Sequence, residues 1–188
     1  MGDPRRLKKS YETPTHPWLK ERLEIEKVLL EEYGLKNKKE LWKSGSKLRR
    51  YTKQAKNLIL ATTEQSKIEE KRLLEKLYRY NLVKKDAKID DVLSLNLKNV
   101  LDRRLQTLVY KNKLASTINQ ARQLITHGHI LVNNQKIDIP SYFVSREEEN
   151  KIQIDTSSNF YKNLILKAKK EDHKEIVKTK ETINEVEA

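Results

Sequence analysis

The segment from 117 to 144, "TINQARQLITHGHILVNNQKIDIPSYFV", constrains the fold more than any other part of the chain. It opens with a capping box, T-x-x-Q, in which the side chains of Thr117 and Gln120 satisfy free N–H groups at a helix N-terminus. Gly128 marks the helix end, because glycine adopts the left-handed conformation of a C-cap without steric cost. Four apolar residues at helical spacing are predicted to face a core: Ile118, Ala121, Leu124 and Ile125.

A small, mostly antiparallel sheet is predicted to follow this helix. Asn133 and Asn134 can supply the positive φ angles that a tight hairpin turn needs, and Pro140 ends the returning strand. The acidic segment 145–150 is expected to be a solvated loop. Short strands fit the pattern at 129–132, 135–139, 142–144 and 151–154.

A second helix is predicted immediately before this segment, over 99–111, with Asn99 as its N-cap residue. Its apolar stripe consists of Leu101, Leu105, Leu108 and Val109. Its other faces, and the connection that follows, carry the cations Arg103, Arg104, Lys111 and Lys113. The residues from 98 to 155 therefore predict a compact α+β unit, in which two helices pack on a small sheet.

The N-terminal half is predicted to be helical behind an extended arm. Residues 1–17 contain three prolines, which disfavour helix, and this arm carries the cations Arg5, Arg6, Lys8 and Lys9. Apolar spacing predicts a bundle of three helices within a domain at 18–97, namely 18–34, 38–60 and 64–82. Trp18 and Trp42 are expected to pack in it. The second helix is the most basic and includes Lys47, Arg49, Arg50 and Lys53.

The charge distribution indicates a polyanionic partner. The chain has 40 Lys and Arg residues against 27 Asp and Glu residues, a formal charge of +13. The excess lies in 1–57, with 16 basic against 8 acidic residues, and in 98–170, with 13 against 6. Clustered Lys and Arg bind nucleic acid by releasing counterions from the phosphate backbone. The extension at 156–188 is predicted to be acidic and flexible after 170.

Several function classes are excluded or disfavoured by composition. The chain has no cysteine, which removes disulfides, thiolate zinc sites and cysteine nucleophiles. It has only four glycines and neither a P-loop nor a GxGxxG motif. The basic N-terminus lacks the apolar core of a signal peptide, and no apolar run is long enough to span a bilayer. The expected location is the cytosol.

Two groups of residues invite a chemical interpretation, but a simpler one is favoured for each. Asp90 and Asp91 stand at the predicted start of a short helix, where acids usually cap the backbone and complement the helix dipole. His127 and His129, with His16, are candidate metal ligands, yet no third ligand is near in sequence. Hydrogen bonds from these histidines to phosphate are the favoured interpretation. No catalytic residue, metal or cofactor is predicted.

Two sets of motifs resemble a known family. "RRLQTLVYKNKLASTINQARQLITHGHILVNNQKIDIPSYFV" closely resembles the S4 RNA-binding domain, and "MGDPRRLKKSYETPTHPW" with "YGLKNKKELW" resembles the N-terminal region of a small-subunit ribosomal protein family that carries this domain, in its archaeal and eukaryotic branch. The resemblance implies a cytoplasmic, non-enzymatic protein, monomeric within the ribosome. It implies binding to small-subunit ribosomal RNA, assembly of the 5′ domain, and a position near the messenger entry side beside ribosomal proteins five and three.

The resemblance also implies which residues face RNA. Motif positions facing RNA or its edge are matched by Arg104, Thr117, Gln120, Arg122, Gln123, His127 and His129. Three cations, Arg104, Lys111 and Arg122, are expected to be exposed along one phosphate ridge. With the charge clusters, the predicted RNA-binding set is Arg5, Arg6, Lys8, Lys9, Lys47, Arg49, Arg50, Lys53, Arg103, Arg104, Lys111, Lys113, Thr117, Gln120, Arg122, Gln123, His127 and His129.

Two alternatives belong to other function classes. An RNA-modifying enzyme or another RNA-binding factor can carry the same domain as an accessory module, although no catalytic constellation is present outside it. A general DNA-coating protein would share the basic charge. It would differ by preferring duplex DNA to folded RNA.

Overall fold

The computed structural model describes residues 9–61 and 63–158. The predicted arm cations Arg5, Arg6 and Lys8, and the acidic extension beyond 158, lie outside these residues. The fold is α+β, as predicted, with eight helices and three strands in the described part of the chain.

The N-terminal unit, which comprises the helices before residue 97, contains the three predicted long helices and the short helix predicted near Asp90. They are α1 (Lys20–Glu32), α2 (Lys38–Leu60), α3 (Glu64–Arg79) and α4 (Ile89–Leu93). Thr63 caps α3 by accepting a hydrogen bond from the Ser66 N–H. Asp91 accepts a hydrogen bond from the Lys88 N–H at 2.9 Å, so this acid caps α4 as the sequence suggested. The core includes Tyr51, Ala55, Leu58, Leu73, Leu77 and Val92.

One expected packing residue of this unit is exposed instead. Trp18 precedes α1 and has 88% of its surface exposed, so the expectation that it packs is wrong. Trp42 is half-buried and donates its Nε1–H to Glu26 Oε1 at 3.1 Å. Within the described residues, no helix has both the length and the apolar character needed to cross a membrane.

The C-terminal unit, from residue 97 onward, begins with two helices where one was predicted. These are α5 (Leu97–Asp102) and α6 (Leu105–Lys111), so Asn99 lies inside α5 and is not its cap. The helix is interrupted at 103–104, because backbone groups there form hydrogen bonds with the segment 140–144. Leu105 N–H donates to the Tyr142 carbonyl at 2.8 Å, and Val144 N–H donates to the Arg103 carbonyl at 3.1 Å.

The helix predicted between Thr117 and Gly128 forms. It is α7 (Ile118–Thr126), and the Thr117 hydroxyl accepts a hydrogen bond from the Gln120 N–H. Gly128 follows with a φ of 70°. The core between α6, α7 and the sheet includes Leu105, Leu108, Val109, Ala121, Leu124 and Ile125.

The sheet has three antiparallel strands in the order β2-β1-β3, namely β1 (Ile130–Val132), β2 (Gln135–Lys136) and β3 (Ile152–Ile154). Asn133 and Asn134 have φ angles of 52° and 63°, as the tight turn requires. The strand predicted at 142–144 is wrong, because Phe143 forms only an isolated bridge with Arg104. The expected loop at 145–150 instead contains α8 (Arg146–Glu149), where Glu148 accepts a hydrogen bond from the Ser145 N–H.

The two units share a core and polar contacts. Leu101 of α5 packs with Leu29, Leu35 and Leu41 of the N-terminal unit, and the Tyr33 hydroxyl donates to Asp102 Oδ1 at 3.1 Å. These contacts hold the two units against each other and thereby position α2 beside α7. The domain boundary near residue 98 stays a prediction.

Candidate nucleic-acid interface

The basic face of α2 forms one side of a groove of about 670 Å³. Its other side is the described end of the N-terminal arm, which α2 holds through several contacts, including a hydrogen bond from the Glu12 N–H to Ser46 Oγ at 3.0 Å. Arg49 Nη1 lies 3.0 Å from Glu12 Oε2, and Arg50 Nη2 donates to the Ser10 carbonyl at 2.7 Å. The cations that line this groove are Lys9, Arg49, Arg50, Lys53 and Lys56.

This groove brings together four cations from the predicted set, since Lys9, Arg49, Arg50 and Lys53 are all exposed there. Within residues 9–61 and 63–158 they form one ion pair, Arg49 with Glu12, and both of its side chains are exposed, so the pair is weak. The predicted RNA-binding set left out Lys56, although its spacing of three residues from Lys53 puts both on one helical face. The arrangement presents Lys and Arg donors to solvent, as a surface for a polyanion requires.

The outer face of α7 carries the second group of predicted residues. Gln123 and His127 are exposed, and Arg122 is half-buried. Thr117 caps the helix, while Gln120 Oε1 accepts a hydrogen bond from the Ser116 N–H at 2.9 Å. Both capping side chains therefore stabilise the helix start, and a direct role for them in RNA binding stays a prediction.

Arg104 does not lie on an exposed ridge with Lys111. Only 5% of its side chain is exposed, and its Nη2 lies 2.6 Å from Glu40 Oε2. The expected exposure is wrong because residue 104 stands in the break between α5 and α6, where helical spacing from Lys111 does not hold. The Arg104 guanidinium is instead directed at Glu40 of α2.

Arg122 shares this carboxylate. Its Nη2 lies 2.8 Å from Glu40 Oε1, and its Nη1 donates to Glu40 Oε2 and to Gln106 Oε1, each at 3.3 Å. Burial by itself would raise the pKa of Glu40, but hydrogen bonds from Arg122 and the charge of Arg104 outweigh it and leave that pKa below its ordinary value. Glu40 is therefore a carboxylate held between two arginines.

Arg103 is also buried, contrary to its predicted place on a polar face. Its side chain is 6% exposed, and its Nη1 lies 2.9 Å from Glu149 Oε2. Its Nη2 donates to the Val144 carbonyl at 3.3 Å. Because these contacts tie α8 and the segment 140–144 to the helix break, the position of Arg103 is that of a structural residue.

Lys111 and Lys113 are exposed at the end of α6. Lys111 Nζ lies 3.0 Å from Asp102 Oδ1, and Lys113 has a φ of 57° in the turn that leads to α7. Both are accessible to a ligand. They do not share a face with Arg104.

Lys47 lies beside two aromatic rings from different parts of the chain. Its Nζ is 3.3 Å from the centroid of the Phe143 ring and 5.4 Å from that of Tyr80. The two rings meet edge to face with centroids 4.8 Å apart. Burial lowers the pKa of Lys47 to about 8, and the charges of Lys76 and Arg50 act in the same direction. The rings attract the cation through their faces and orient it.

The two histidines lie side by side at the end of α7, with ring centroids 6.1 Å apart. His129 Nδ1 is 2.8 Å from the Ser158 hydroxyl. Among residues 9–61 and 63–158, no three His, Asp or Glu side chains are arranged to hold a metal ion. The proposed hydrogen bonds from these histidines to phosphate stay a prediction.

Comparison with known proteins finds one matching domain family and several similar proteins. The S4 domain family matches residues 103–150. The chain is 54% identical over 153 residues to the small ribosomal subunit protein uS4 of Methanococcus aeolicus, covering 81% of this chain and 86% of that protein. It is 48% identical over 162 residues to the protein of the same name from Ignicoccus hospitalis, covering 86% and 98%. The small ribosomal subunit protein uS4 of Saccharolobus solfataricus is 48% identical to the chain over 161 residues, which cover 85% of this chain and 89% of that protein.

Proposed function

The chain belongs to the family of small ribosomal subunit protein uS4, and on that premise we propose that it is a structural constituent of the small subunit that binds ribosomal RNA. The observation that carries this proposal is the exposed row of cations along α2, facing a groove that the N-terminal arm completes. Such a surface binds phosphates without requiring a particular base sequence.

Recognition of the correct RNA is proposed to come from shape. The deep major groove of an A-form helix is too narrow for side chains to reach its bases, so a protein distinguishes folded RNA by the placement of phosphates and 2′-hydroxyls. The cations of α2 and those at the end of α6, Lys111 and Lys113, lie on two packed units. A junction of RNA helices presents phosphates on several sides, so it can contact the cations of both units at once.

The finer assignments follow the family resemblance. The protein is proposed to bind the 5′ domain of the small-subunit RNA early in assembly, and to lie near the messenger entry side beside ribosomal proteins five and three. It acts there without catalysing a reaction, in cytoplasmic ribosomes. The arm at 1–17, the helical domain at 18–97 and the RNA-binding domain at 98–155 are its proposed divisions, with an extension at 156–188.

The relatives argue against the enzyme alternative. The alignments cover 86% of the Methanococcus aeolicus protein and 98% of the Ignicoccus hospitalis protein, which leaves those proteins little length for a separate catalytic domain. The DNA-coating alternative is separated from the proposal by experiment. It predicts tighter binding to duplex DNA than to folded RNA.

The proposed function is tested by titrating the protein with a transcript of the small-subunit RNA 5′ domain and with duplex DNA of equal charge, at several salt concentrations. We expect tighter binding to the transcript. The triple variant Arg49→Ala, Arg50→Ala, Lys53→Ala should bind it more weakly, and its salt dependence should flatten by roughly two to three charges.

The matched control removes three exposed cations from α3 (Lys67→Ala, Lys71→Ala and Arg72→Ala). This control lowers net charge equally but leaves the α2 groove intact, so it should bind the transcript nearly as wild type does. If both triple variants lost the same affinity for the transcript, the loss would be explained by net charge and not by the α2 groove. Tighter binding to duplex DNA would overturn the proposed function.

A further inference from the structure

Helix α1 carries an exposed surface that is both apolar and acidic. Its apolar part consists of Leu19, Ile25 and Val28, which are 52%, 63% and 61% exposed. Exposed apolar side chains within a polar rim mark sites of protein–protein contact. Four exposed glutamates of α1 form that rim. We define the α1 surface as the set of Leu19, Glu21, Glu24, Ile25, Val28, Glu31 and Glu32.

Two grooves flank the α1 surface and give it recesses that side chains can enter. One, of about 480 Å³, is lined by residues of α1, α2 and the described end of the arm, among them Leu19 and Trp42. The other, of about 490 Å³, lies between α1 and the start of α5, where Val28 and Leu97 line it. Ile25 lines both grooves, so apolar side chains that enter either of them contact Ile25.

Glutamates border the apolar residues of the α1 surface. Glu21 precedes Ile25 by four residues. Glu24 likewise precedes Val28 by four residues, and Glu32 follows it by four. Residues that are four apart are neighbours on the surface of a helix. Carboxylates therefore lie beside both exposed apolar side chains of α1.

The charge of α1 is opposite to that of α2. Helix α1 has five glutamates against three cations, whereas α2 has eight cations against one glutamate. Glu21 and Glu31 form no ion pair within the described ranges of the chain. Glu24 pairs with Lys20 at 4.0 Å, but both side chains are exposed and the pair is weak. These carboxylates are available to the cations of a partner.

Three kinds of partner would meet the α1 surface differently. The glutamates would repel the phosphates of RNA. In a symmetric dimer both copies present the same patch, so the same glutamates would face one another. A protein segment that carries Lys or Arg beside apolar side chains matches both the charge and the grooves. Proteins that share one RNA are themselves rich in such cations, because each must bind phosphates.

We propose that the α1 surface is a docking site for another protein of the small ribosomal subunit, which contributes a basic segment with apolar side chains. Its apolar side chains lie in the two grooves beside Ile25, and its Lys or Arg side chains face Glu21, Glu24 and Glu31. The proposal rests on the proposed function, since it takes the partner from the same particle. It goes beyond that function by assigning a surface that binds protein and not RNA.

The first test uses small subunits that contain the full chain with a photoreactive benzophenone amino acid in place of Val28. Illumination should link this position to one protein of the subunit. Adding Glu21→Lys and Glu24→Lys should abolish that product, because the partner's cations are then repelled. The matched control carries the benzophenone at Leu60, which is 83% exposed at the end of α2 and lines neither groove. Position 60 should not give the same product.

Failure of this proposal differs from failure of the proposed function. If the wild-type chain does not enter small subunits, the proposed function falls and the docking site falls with it. If the chain enters them, the docking proposal alone is overturned by any of three results. Position 28 could link to RNA or to its own chain, it could link to nothing, or positions 28 and 60 could give the same product.

The second test uses the free protein and a synthetic peptide of about 20 residues with Leu and Lys on opposite faces of a helix. The whole chain has a charge of +13, so this peptide is repelled except where acids are clustered. Trp42 lines one groove, and its fluorescence reports binding. Ile25→Ser with Val28→Ser should weaken binding by roughly tenfold or more. Ile59→Ser with Leu60→Ser, which alters two exposed apolar residues of α2, should not.

Charge reversal gives a matched pair for the acidic part of the α1 surface. Glu21→Lys with Glu24→Lys should remove detectable binding of the same peptide. Glu69→Lys with Glu75→Lys changes net charge equally on α3, where both glutamates are exposed, and should weaken binding far less. Equal weakening by the two reversals, or by the two pairs of serine substitutions, would overturn the docking proposal.

Discussion

Glu40 lies between two arginines of the other unit, and its ionisation decides how firmly they are held. Hydrogen bonds to a charged carboxylate are roughly twice as strong as neutral ones. The partners approach it at 2.6 and 2.8 Å, and only 19% of the Glu40 side chain is exposed. Water therefore screens this cluster less than it screens the exposed pair of Arg49 and Glu12.

The ionisation of Glu40 predicts a pH dependence of stability. The pKa of Glu40 is lowered in the folded protein from about 4.5 in the unfolded chain. The charged carboxylate therefore stabilises the fold above pH 4.5, and this stabilisation is lost as the pH falls through the pKa of the folded state. Glu40→Gln should cost about 1–3 kcal/mol at pH 7 and much less at pH 3. Urea unfolding of both proteins over this range measures the difference. A difference that stays constant with pH would show that the carboxylate charge is irrelevant.

Gly34 is a residue whose missing side chain matters. It has a φ of 56°, and an added Cβ would lie 2.7 Å from Ile118 Cγ2 and 2.9 Å from Gln106 Nε2. The turn after α1 thus packs so closely against α6 and α7 that no room is left for a Cβ at residue 34. Gln106 Nε2 also donates to the Gly34 carbonyl at 2.9 Å.

Gly34→Ala should therefore destabilise the protein by about 1–3 kcal/mol from its backbone conformation alone, with crowding adding to this. Gly45→Ala is the matched control, because Gly45 lies inside α2 with nothing within 4 Å of the added Cβ. That change should stabilise the protein by roughly 0.5–1 kcal/mol. Thermal unfolding of both variants checks the opposite signs. Similar shifts for the two would refute the close approach.

At the scale of secondary structure, the break between α5 and α6 determines where the arginines point. A continuous helix would place Arg104 and Lys111 on one face, two turns apart. The break directs Arg104 inward, while Lys111 remains at the exposed end of α6. Substitutions at these two positions should therefore have different effects.

Arg104→Ala should cost about 1–3 kcal/mol, because it removes a charged donor from the buried cluster around Glu40. Lys111→Ala should change stability by no more than about 0.5 kcal/mol, because its ion pair is exposed. Urea unfolding at pH 7 distinguishes the two. If both variants were as stable as wild type, the Arg104–Glu40 contact would contribute nothing in solution.

The two faces of α7 predict a second contrast. Leu124→Ala should cost roughly 2–5 kcal/mol, since Leu124 is only 3% exposed in the core of the C-terminal unit. Gln123→Ala, one residue earlier on the exposed face, should leave stability within about 0.5 kcal/mol. Unfolding measurements test both. An equally large loss for Gln123→Ala would place that side chain in a structural contact.

Across the whole molecule, the two units share too many contacts to behave independently. Leu101 is fully buried in the core shared with α1. At the opposite side, Arg146 of α8 lies 4.2 Å from the Tyr78 ring centroid of α3 and donates to Asn81 Oδ1. These contacts, together with the Glu40 cluster, hold the two units against each other.

Unfolding is therefore expected to be a single cooperative transition. The fluorescence change of the half-buried Trp42 reports on the N-terminal unit, and amide exchange within α7 reports on the C-terminal unit. Their urea midpoints should coincide, and Leu101→Ala should lower both together. Two separated midpoints would indicate that the units unfold independently.

The sequence by itself determined the features that depend on neighbours within a few residues. The Thr117 cap, the turn at Gly128 and the Asn133–Asn134 hairpin all formed as predicted, because caps and turns are made by side chains close in sequence to the backbone groups they satisfy. The three long helices, and a basic face on α2, followed from apolar and charged spacing in the same way.

Only the tertiary structure decided what the arginines contact. Glu40 is 64 residues from Arg104 and 82 from Arg122, and no local pattern links them. The break at 103–104 likewise depends on hydrogen bonds from the segment 140–144. A count of charges indicates how strongly a chain attracts a polyanion, but burial and long-range pairing determine which cations remain exposed to bind it.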